Sequence, residues 1–391
     1  MAVAACSLLV MFHLTFAGSK DRGAELQAFF EEVDGNYPFF ELKGNREFWD
    51  RAKPVLLSQA SAADTDTAFV GVVTEALRYL RDSHVRVRSA AEAPARPRLY
   101  YPGLSFTPAK GQRVAVLWPG DYEDVLQPGD LITAIDGEPA WPDMEARAEG
   151  YWAECFCSSP QRARMLTYRI PLRGELGTTK TLTYERDGVS RTLEVSARRE
   201  AQGWPHHYNL PEDLQKAGSA LYHAQLDDGV GFMWLRRLGD DTPQSVLEAA
   251  VAHPAARGWI VDLRGNGGGG YSSRLVTFLA ALPQPVAVLI DAGCISAGET
   301  LARDLRRAAA ARLFGTPTAG ASSAKYTWRF PSGVAEVVLP RRSRWRNDGQ
   351  PIEFNGIQPD EVVWPEPADL RAGRNTELLR AHAWIVEQRR K

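Results

Sequence analysis

The stretch Cys294-Ile295-Ser296-Ala297-Gly298-Glu299 follows an apolar run from Pro285 to Ile290 and leads into a helical pattern, Ser296 to Ala310. Small residues at a strand-to-helix turn let the backbone bend sharply and approach a ligand closely. A Ser at such a turn presents its hydroxyl at a helix N-terminus, where backbone amides favour negative charge. That position suits a nucleophile. It equally suits an N-cap Ser, with Glu299 three residues on completing a capping box. A second Gly-rich turn, Asp262-Leu263-Arg264-Gly265-Asn266-Gly267-Gly268-Gly269-Gly270, also follows an apolar strand. It lacks the G-x-x-x-x-G-K-[ST] pattern of a phosphate loop. Glycine beside a nucleophile has another use: the amides of an oxyanion hole must come close to a reacting carbonyl, and a side chain would block them.

Both turns need a scaffold, and the pattern from about residue 205 supplies one. Apolar strands such as Val230 to Leu238, Gly258 to Asp262 and Pro285 to Ile290 alternate with helical patterns beginning at Thr242, Tyr271 and Ser296. This alternation predicts an α/β layer with a mixed, largely parallel sheet over 205–391. Ligands of such sheets bind outside the carboxyl ends of the strands, so the two turns are expected to face one crevice.

Upstream, residues 22–92 read as a helical N-terminal domain. Arg22 to Val33 and Asp64 to Asp82 carry apolar residues at helical spacing, with Asp64 or Thr65 as cap, and Ser83 to Ser89 then starts a strand. A Pro-rich linker leads to residues 98–200, where short strands alternate with turn signals and Asp187-Gly188 marks a hairpin. An insertion over about 141–168 reads as helical. The pattern Tyr101-Pro102-Gly103-Leu104-Ser105-Phe106 followed by Gln127-Pro128-Gly129-Asp130 and Ile135-Asp136-Gly137 resembles a PDZ domain. The resemblance implies that Gly103, Leu104 and Phe106 belong to a peptide-binding loop whose ligand adds as a strand.

Composition narrows the classes. The chain has 391 residues, 44% hydrophobic and 24% charged, with a formal net charge of −2 and no long run of one sign. Neither a nucleic-acid nor a membrane-surface partner is expected on that charge balance. Four cysteines, with Cys155 and Cys157 one residue apart, make neither a disulfide framework nor a zinc spacing. No metal and no cofactor is expected. Residues 1–17 are mostly apolar and end in a small-residue cleavage-like site, so a signal peptide and a periplasmic or secreted location are expected, against a missing basic n-region.

Taken in order, Val230 to Leu238, Gly258 to Gly270, Val288 to Thr300, Gly315 to Ser322 and Ile352 to Val363 resemble the tail-specific (C-terminal processing) serine peptidases and their tricorn-type relatives. The resemblance spans nearly the whole chain. It implies a crotonase/ClpP-like α/β core carrying a PDZ-like domain and an N-terminal helical domain. It assigns Ser296 as nucleophile and the amides of Ala297 and Gly268 (with Gly267 as the alternative) to the oxyanion hole. The Ser-Lys branch places its base just after the Gly of a T-x-G-K motif, where this chain has Ala321; Lys325 comes four residues later. The tricorn-type branch instead uses a His preceded by Ser, and a Glu shortly before G-x-x-P-D. Ser83, His84 and Glu353 match those places. The implied relay runs from Glu353 through Ser83 to His84, which takes the proton from Ser296. His206, His207 and His223 have weaker contexts, and Cys294 is a rival nucleophile off the motif. The expectation is a serine endopeptidase acting on peptides or unfolded chains, its activity rising with pH through an imidazole value of roughly 6 to 7.5. The alternative is a non-catalytic peptide- or hydrophobic-ligand-binding protein on the same fold. An oligomer is compatible with either.

Overall fold

The computed structural model describes residues 21–91, 98–154, 156–201, 207–341 and 346–390. The expected signal peptide, Cys6, Cys155 and His206 lie outside these residues. Among the described helices none is long and apolar enough to cross a membrane.

A seven-stranded sheet forms the core, in the order Gln215–Ala217, Leu221–Gln225, Gly231–Leu235, Trp259–Asp262, Val286–Ile290, Arg312–Gly315 and Glu361–Val362. The first two pairings are antiparallel and the other four parallel, as the alternation of strands and helices predicts. The central strands Gly231–Leu235, Trp259–Asp262 and Val286–Ile290 are buried at every position, which explains their continuous apolar composition. Helices Thr242–Ala252, Ser273–Ala280 and Ala297–Ala308 contribute to one apolar layer, around Val246, Leu279 and Leu301. Helix Thr376–Gln388 contributes Ala381 and Ile385 to the other, against Phe232, Ile260 and Leu289.

Residues 22–78 fold as the helices Arg22–Asn36, Phe40–Lys43, Arg46–Ala62 and Asp66–Arg78. Thr65 caps the last through Ala68 N at 3.1 Å, as the sequence suggests. These helices do not close a core of their own. Their apolar faces (Phe29, Trp49, Phe69) join Phe330, Val337 and Leu339 from the hairpin Ala324–Arg329/Glu336–Arg341, and strand Arg86–Arg88 pairs with that hairpin. A single layer thus ties the segment around residue 84 to the segment just after residue 322.

Residues 105–196 form an antiparallel sheet in the order Ser105–Ala109, Arg113–Trp118, Leu131–Ile135, Thr179–Arg186 and Val189–Ser196. The helices Ala140–Glu154 and Pro160–Arg169 interrupt it, where an insertion is read from the sequence. Helix Pro160–Arg169 starts against the core: Ser159 Oγ donates to Ala319 O at 2.6 Å, Gln161 Nε2 to Phe354 O at 3.0 Å and Arg162 Nη1 to Ala292 O at 2.9 Å.

Candidate active site

Two strand ends build the floor. After Trp259–Asp262 the chain turns at Leu263 to Gly269, and after Val286–Ile290 it turns at Asp291 to Ser296. The side chain of Asn266 stitches the first turn, donating from Nδ2 to Leu235 O at 2.7 Å and accepting from Gly268 N at 2.9 Å. Its carbonyl accepts from Ile295 N at 2.9 Å, so the two turns are held together. The contact is tight enough to require glycine. A Cβ on Gly268 would lie 2.8 Å from Ser296 Cβ and 3.3 Å from Ala297 N, and one on Gly298 would lie 2.7 Å from Asn266 Oδ1.

Ser296 sits half-buried at the N-terminus of helix Ala297–Ala308 with φ 59° and ψ −120°. A non-glycine residue in this region carries a backbone cost of order 1–3 kcal/mol. The neighbours hold it there: Ser296 N donates to Ala321 O at 3.0 Å and to Glu299 Oε2 at 3.0 Å. The second bond is the Glu299 half of the capping box read from the sequence. Glu299 does more than cap. Wholly buried, it also accepts from Thr318 Oγ1 at 2.6 Å, Gly320 N at 2.7 Å and Ala321 N at 2.9 Å. Burial pushes its carboxyl up to about 7, opposed by these donors. The carboxyl therefore welds the Ser296 turn to the loop 318–322. Ala321, at the place of the Ser-Lys branch's lysine, is wholly buried in that weld. Cys294 is fully buried, and desolvation holds its thiol well above the usual value, which removes it as a nucleophile.

The same loop reaches the second cluster. Ser322 donates from its amide to Glu353 Oε2 at 2.9 Å and from its hydroxyl to Ser296 O at 3.5 Å. Glu353 is wholly buried, and its oxygen, one from Asp82 and a ring nitrogen of His84 all lie within 4.8 Å of one another. Lys43 completes the group, donating to Glu353 Oε1 at 2.7 Å, Arg81 O at 2.8 Å and Asp82 Oδ2 at 3.3 Å, with all three ionic side chains shielded from water. Burial and then the Asp82 charge push Glu353 up. Lys43 is held charged because its two carboxylate neighbours outweigh its desolvation. Sequence reading missed Lys43, because a lysine ending a helix looks like a solvated end residue.

His84 is anchored through its amide to Asp82 Oδ1 at 2.8 Å. Burial, with smaller pushes from Lys325 and Lys43 against the pull of Asp82, lowers its ring to about 4. This lies below the sequence-based expectation of roughly 6 to 7.5 and keeps the imidazole neutral at neutral pH. Nδ1 is buried and has no hydrogen-bond partner among the described residues. Lys325 is exposed, yet desolvation lowers its pKa, and Asp82, Arg86 and Glu353 all act on it. The Ser83 hydroxyl accepts from Ser158 N at 3.1 Å, while Ser83 N donates to Ser158 Oγ at 3.0 Å. It makes no bond to Glu353 or His84 among the described residues. The hydroxyl that favours the Glu353 charge is that of Ser158, which the sequence did not single out.

The expected peptide loop lies apart. Gly103 takes φ 84° and its carbonyl accepts from Asp121 N at 3.2 Å. Leu104 and Phe106 are wholly buried in the core of the antiparallel sheet. Phe106 also borders a cavity of about 260 Å³ shared with Tyr168, Tyr208, Arg264 and Trp364, between that sheet and the core. His207 borders it too, away from Ser296; His223 sits beside His253, with their ring nitrogens 2.9 Å apart.

Asp82, His84 and Glu353 are a donor set that suits a metal ion. The Lys43 ammonium already sits on two of the three ligands, so the set is charge-compensated without a metal.

Residues 277–363 match Peptidase family S41, a stretch that holds Ser296, Ala297, Glu299 and Glu353 but neither His84 nor Gly268. Among solved structures, the chain is similar to mature CPAF complexed with lactacystin at 14% identity and a TM-score of 0.62, covering 95% of this chain and 98% of that one. It is similar to a putative peptidase from Parabacteroides merdae at 16% identity and a TM-score of 0.52, covering 94% and 98%. At such identities the likeness is one of fold. No curated protein matches. Residues 277–363 are thus similar to Peptidase family S41, within a chain of mixed α/β fold.

Proposed function

We propose that the protein is a serine endopeptidase that cleaves peptides or unfolded chains through an ester at Ser296, with His84 as general base. The observation that carries this reading is the bridge at Ser322, which joins the strained Ser296 turn to Glu353 and, through it, to a neutral His84. In the reaction, Ser296 Oγ attacks the peptide carbonyl carbon while its proton passes to the His84 ring. The C–N bond then breaks and His84 returns the proton to the departing amine. Water repeats the sequence on the ester and frees Ser296. The amides of Ala297 and Gly268 face the developing oxyanion. Gly268 N is bonded to the Asn266 side chain here, so the substrate oxygen has to take that bond over.

Asp82 and Glu353 orient the ring, the Asp82 charge stabilises the imidazolium formed in the transition state, and Lys43 holds the two carboxylates in place. Ser83 acts through its paired bonds with Ser158, a route longer than a direct link. The antiparallel sheet at 98–200, read as PDZ-like, positions long substrates, and the N-terminal segment serves export to the periplasm or beyond. Hydrolysis of an unfolded protein such as reduced casein tests the reading. Wild type should cleave it, Ser296→Ala should not, and EDTA should leave the rate unchanged. Equal cleavage by wild type and Ser296→Ala would remove the mechanism.

A further inference from the structure

Beside the Ser296 turn lies a cleft of about 460 Å³ whose lining includes Gly267, Gly268, Gly269 and Ile295, together with the arginines Arg162, Arg236 and Arg237. No carboxylate is among its lining residues. We propose that this cleft binds a carboxylate of the substrate close to the scissile bond, making the enzyme selective for acidic peptides. The inference rests on the peptidase reading and adds the substrate class.

Register is the first support. Gly267 N donates to Arg236 O at 2.9 Å, Leu238 N to Gly268 O at 2.8 Å and Gly270 N to Leu238 O at 3.0 Å. Residues 236–238 therefore run along the Gly-rich turn as a short parallel bridge, Leu238 beside Gly269. This fixes Arg236 and Arg237 at the edge of the turn whose Gly268 lies against Ser296. Charge is the second support. Arg236 and Arg237 are exposed, and the Arg236 guanidinium lies 5.4 Å from the centre of the Trp234 ring, which steadies the side chain without neutralising it. Of the carboxylates nearby, Asp240 lies beside Gly270, while Asp241 and Asp291 are engaged with backbone. Asp241 accepts from Ser219 N at 2.7 Å while also feeling Arg237, and Asp291 accepts from Gly265 N and Gly293 N. Arg162 is steadied by Ala292 O. A peptide laid across Gly268 thus meets a surface with more guanidinium than carboxylate. Arginine forks suit a planar carboxylate, whether an Asp or Glu side chain or a free chain end.

The test uses the full chain and matched fluorogenic peptides: one neutral with an amidated end, one with Glu flanking the bond and an amidated end, and one neutral with a free carboxylate. The acidic or free-ended peptide should show kcat/KM about tenfold above the neutral one, and the ratio should shrink with added salt. Which of the two gains identifies side chain or chain end. The charge inversion Arg236→Glu/Arg237→Glu should turn the preference toward peptides with Lys at that place, an outcome that misfolding cannot give. The same peptides titrated by fluorescence anisotropy onto Ser296→Ala separate the two readings. Tighter binding of the carboxylate peptides without turnover by wild type would leave the cleft assignment standing and end the peptidase reading. Equal kcat/KM and equal binding for all three peptides would overturn the cleft assignment alone.

Discussion

Ser296, His84 and Glu353 stand out by type and spacing, but their properties come from residues that carry no such signal. Lys43 is 310 positions from Glu353 in sequence and 2.7 Å from it in space. Replacing it with Met leaves two buried carboxylates without their cation, so Lys43→Met should lower kcat by two orders of magnitude or more, on the scale of a broken buried pair. It should also raise the His84 pKa, since a cation is removed, and Lys43→Arg should restore part of the rate; a pH profile of kcat/KM checks both. The wild-type acid limb should lie near pH 4, where burial holds the His84 ring. Lys325→Ala, which removes a second cation facing that ring, should move the limb to higher pH with little loss of the plateau. The same shift acts on stability. The unfolded chain protonates His84 below its ordinary 6.5 and the folded chain only near 4. That contribution is complete above 6.5 and is lost as pH falls through 4, about 3 kcal/mol in all. Urea unfolding of His84→Asn should show a flatter dependence between those two pH values.

At the scale of elements, the core strands, the Gly-rich turn and the Ser296 turn were legible because each is a local pattern: apolar runs, small residues, a capping glutamate. The helices 22–78 were legible as helices. Their packing on the hairpin 324–341 was not, since it depends on contacts such as Phe69 with Phe330, ring centres 5.3 Å apart, which leave no local trace. Yet that packing sets His84 beside the 318–322 loop. The partner of the Ser83 hydroxyl was not legible for a similar reason: Ser158 arrives on an inserted segment 75 residues away. Phe106, read from its loop pattern as peptide-facing, is wholly buried among Leu104, Val116 and Tyr168 and borders the cavity of about 260 Å³. Phe106→Asp should therefore unfold the antiparallel sheet, costing about 3–5 kcal/mol or more, and lower activity on short and long peptides alike. Thermal denaturation checks this. The start of helix Pro160–Arg169 is the element that couples the sheet to the site. Removing its bonds to Ala319 and Phe354 with Ser159→Ala/Gln161→Ala should reduce kcat several-fold while leaving the melting temperature of the sheet nearly unchanged.

For the molecule as a whole, the site is a junction. The core supplies Ser296, Gly268 and Glu353, the N-terminal helices supply Lys43 and clamp His84, and the inserted segment supplies Ser158. Any one part carries an incomplete set: the 277–363 match holds Ser296 and Glu353 but neither His84 nor Gly268. The account's central claim is that Ser296 becomes a nucleophile only through His84. The most direct measurement is the rate of Ser296 labelling by a fluorophosphonate, with the modified residue located by mass spectrometry, in wild type, His84→Ala and Lys325→Ala at pH 7. The account predicts modification at Ser296 in wild type, a rate within a few-fold in Lys325→Ala, and a loss on the order of 10³ in His84→Ala. Undiminished labelling in His84→Ala with none in Lys325→Ala would make Lys325 the base and contradict the relay built here.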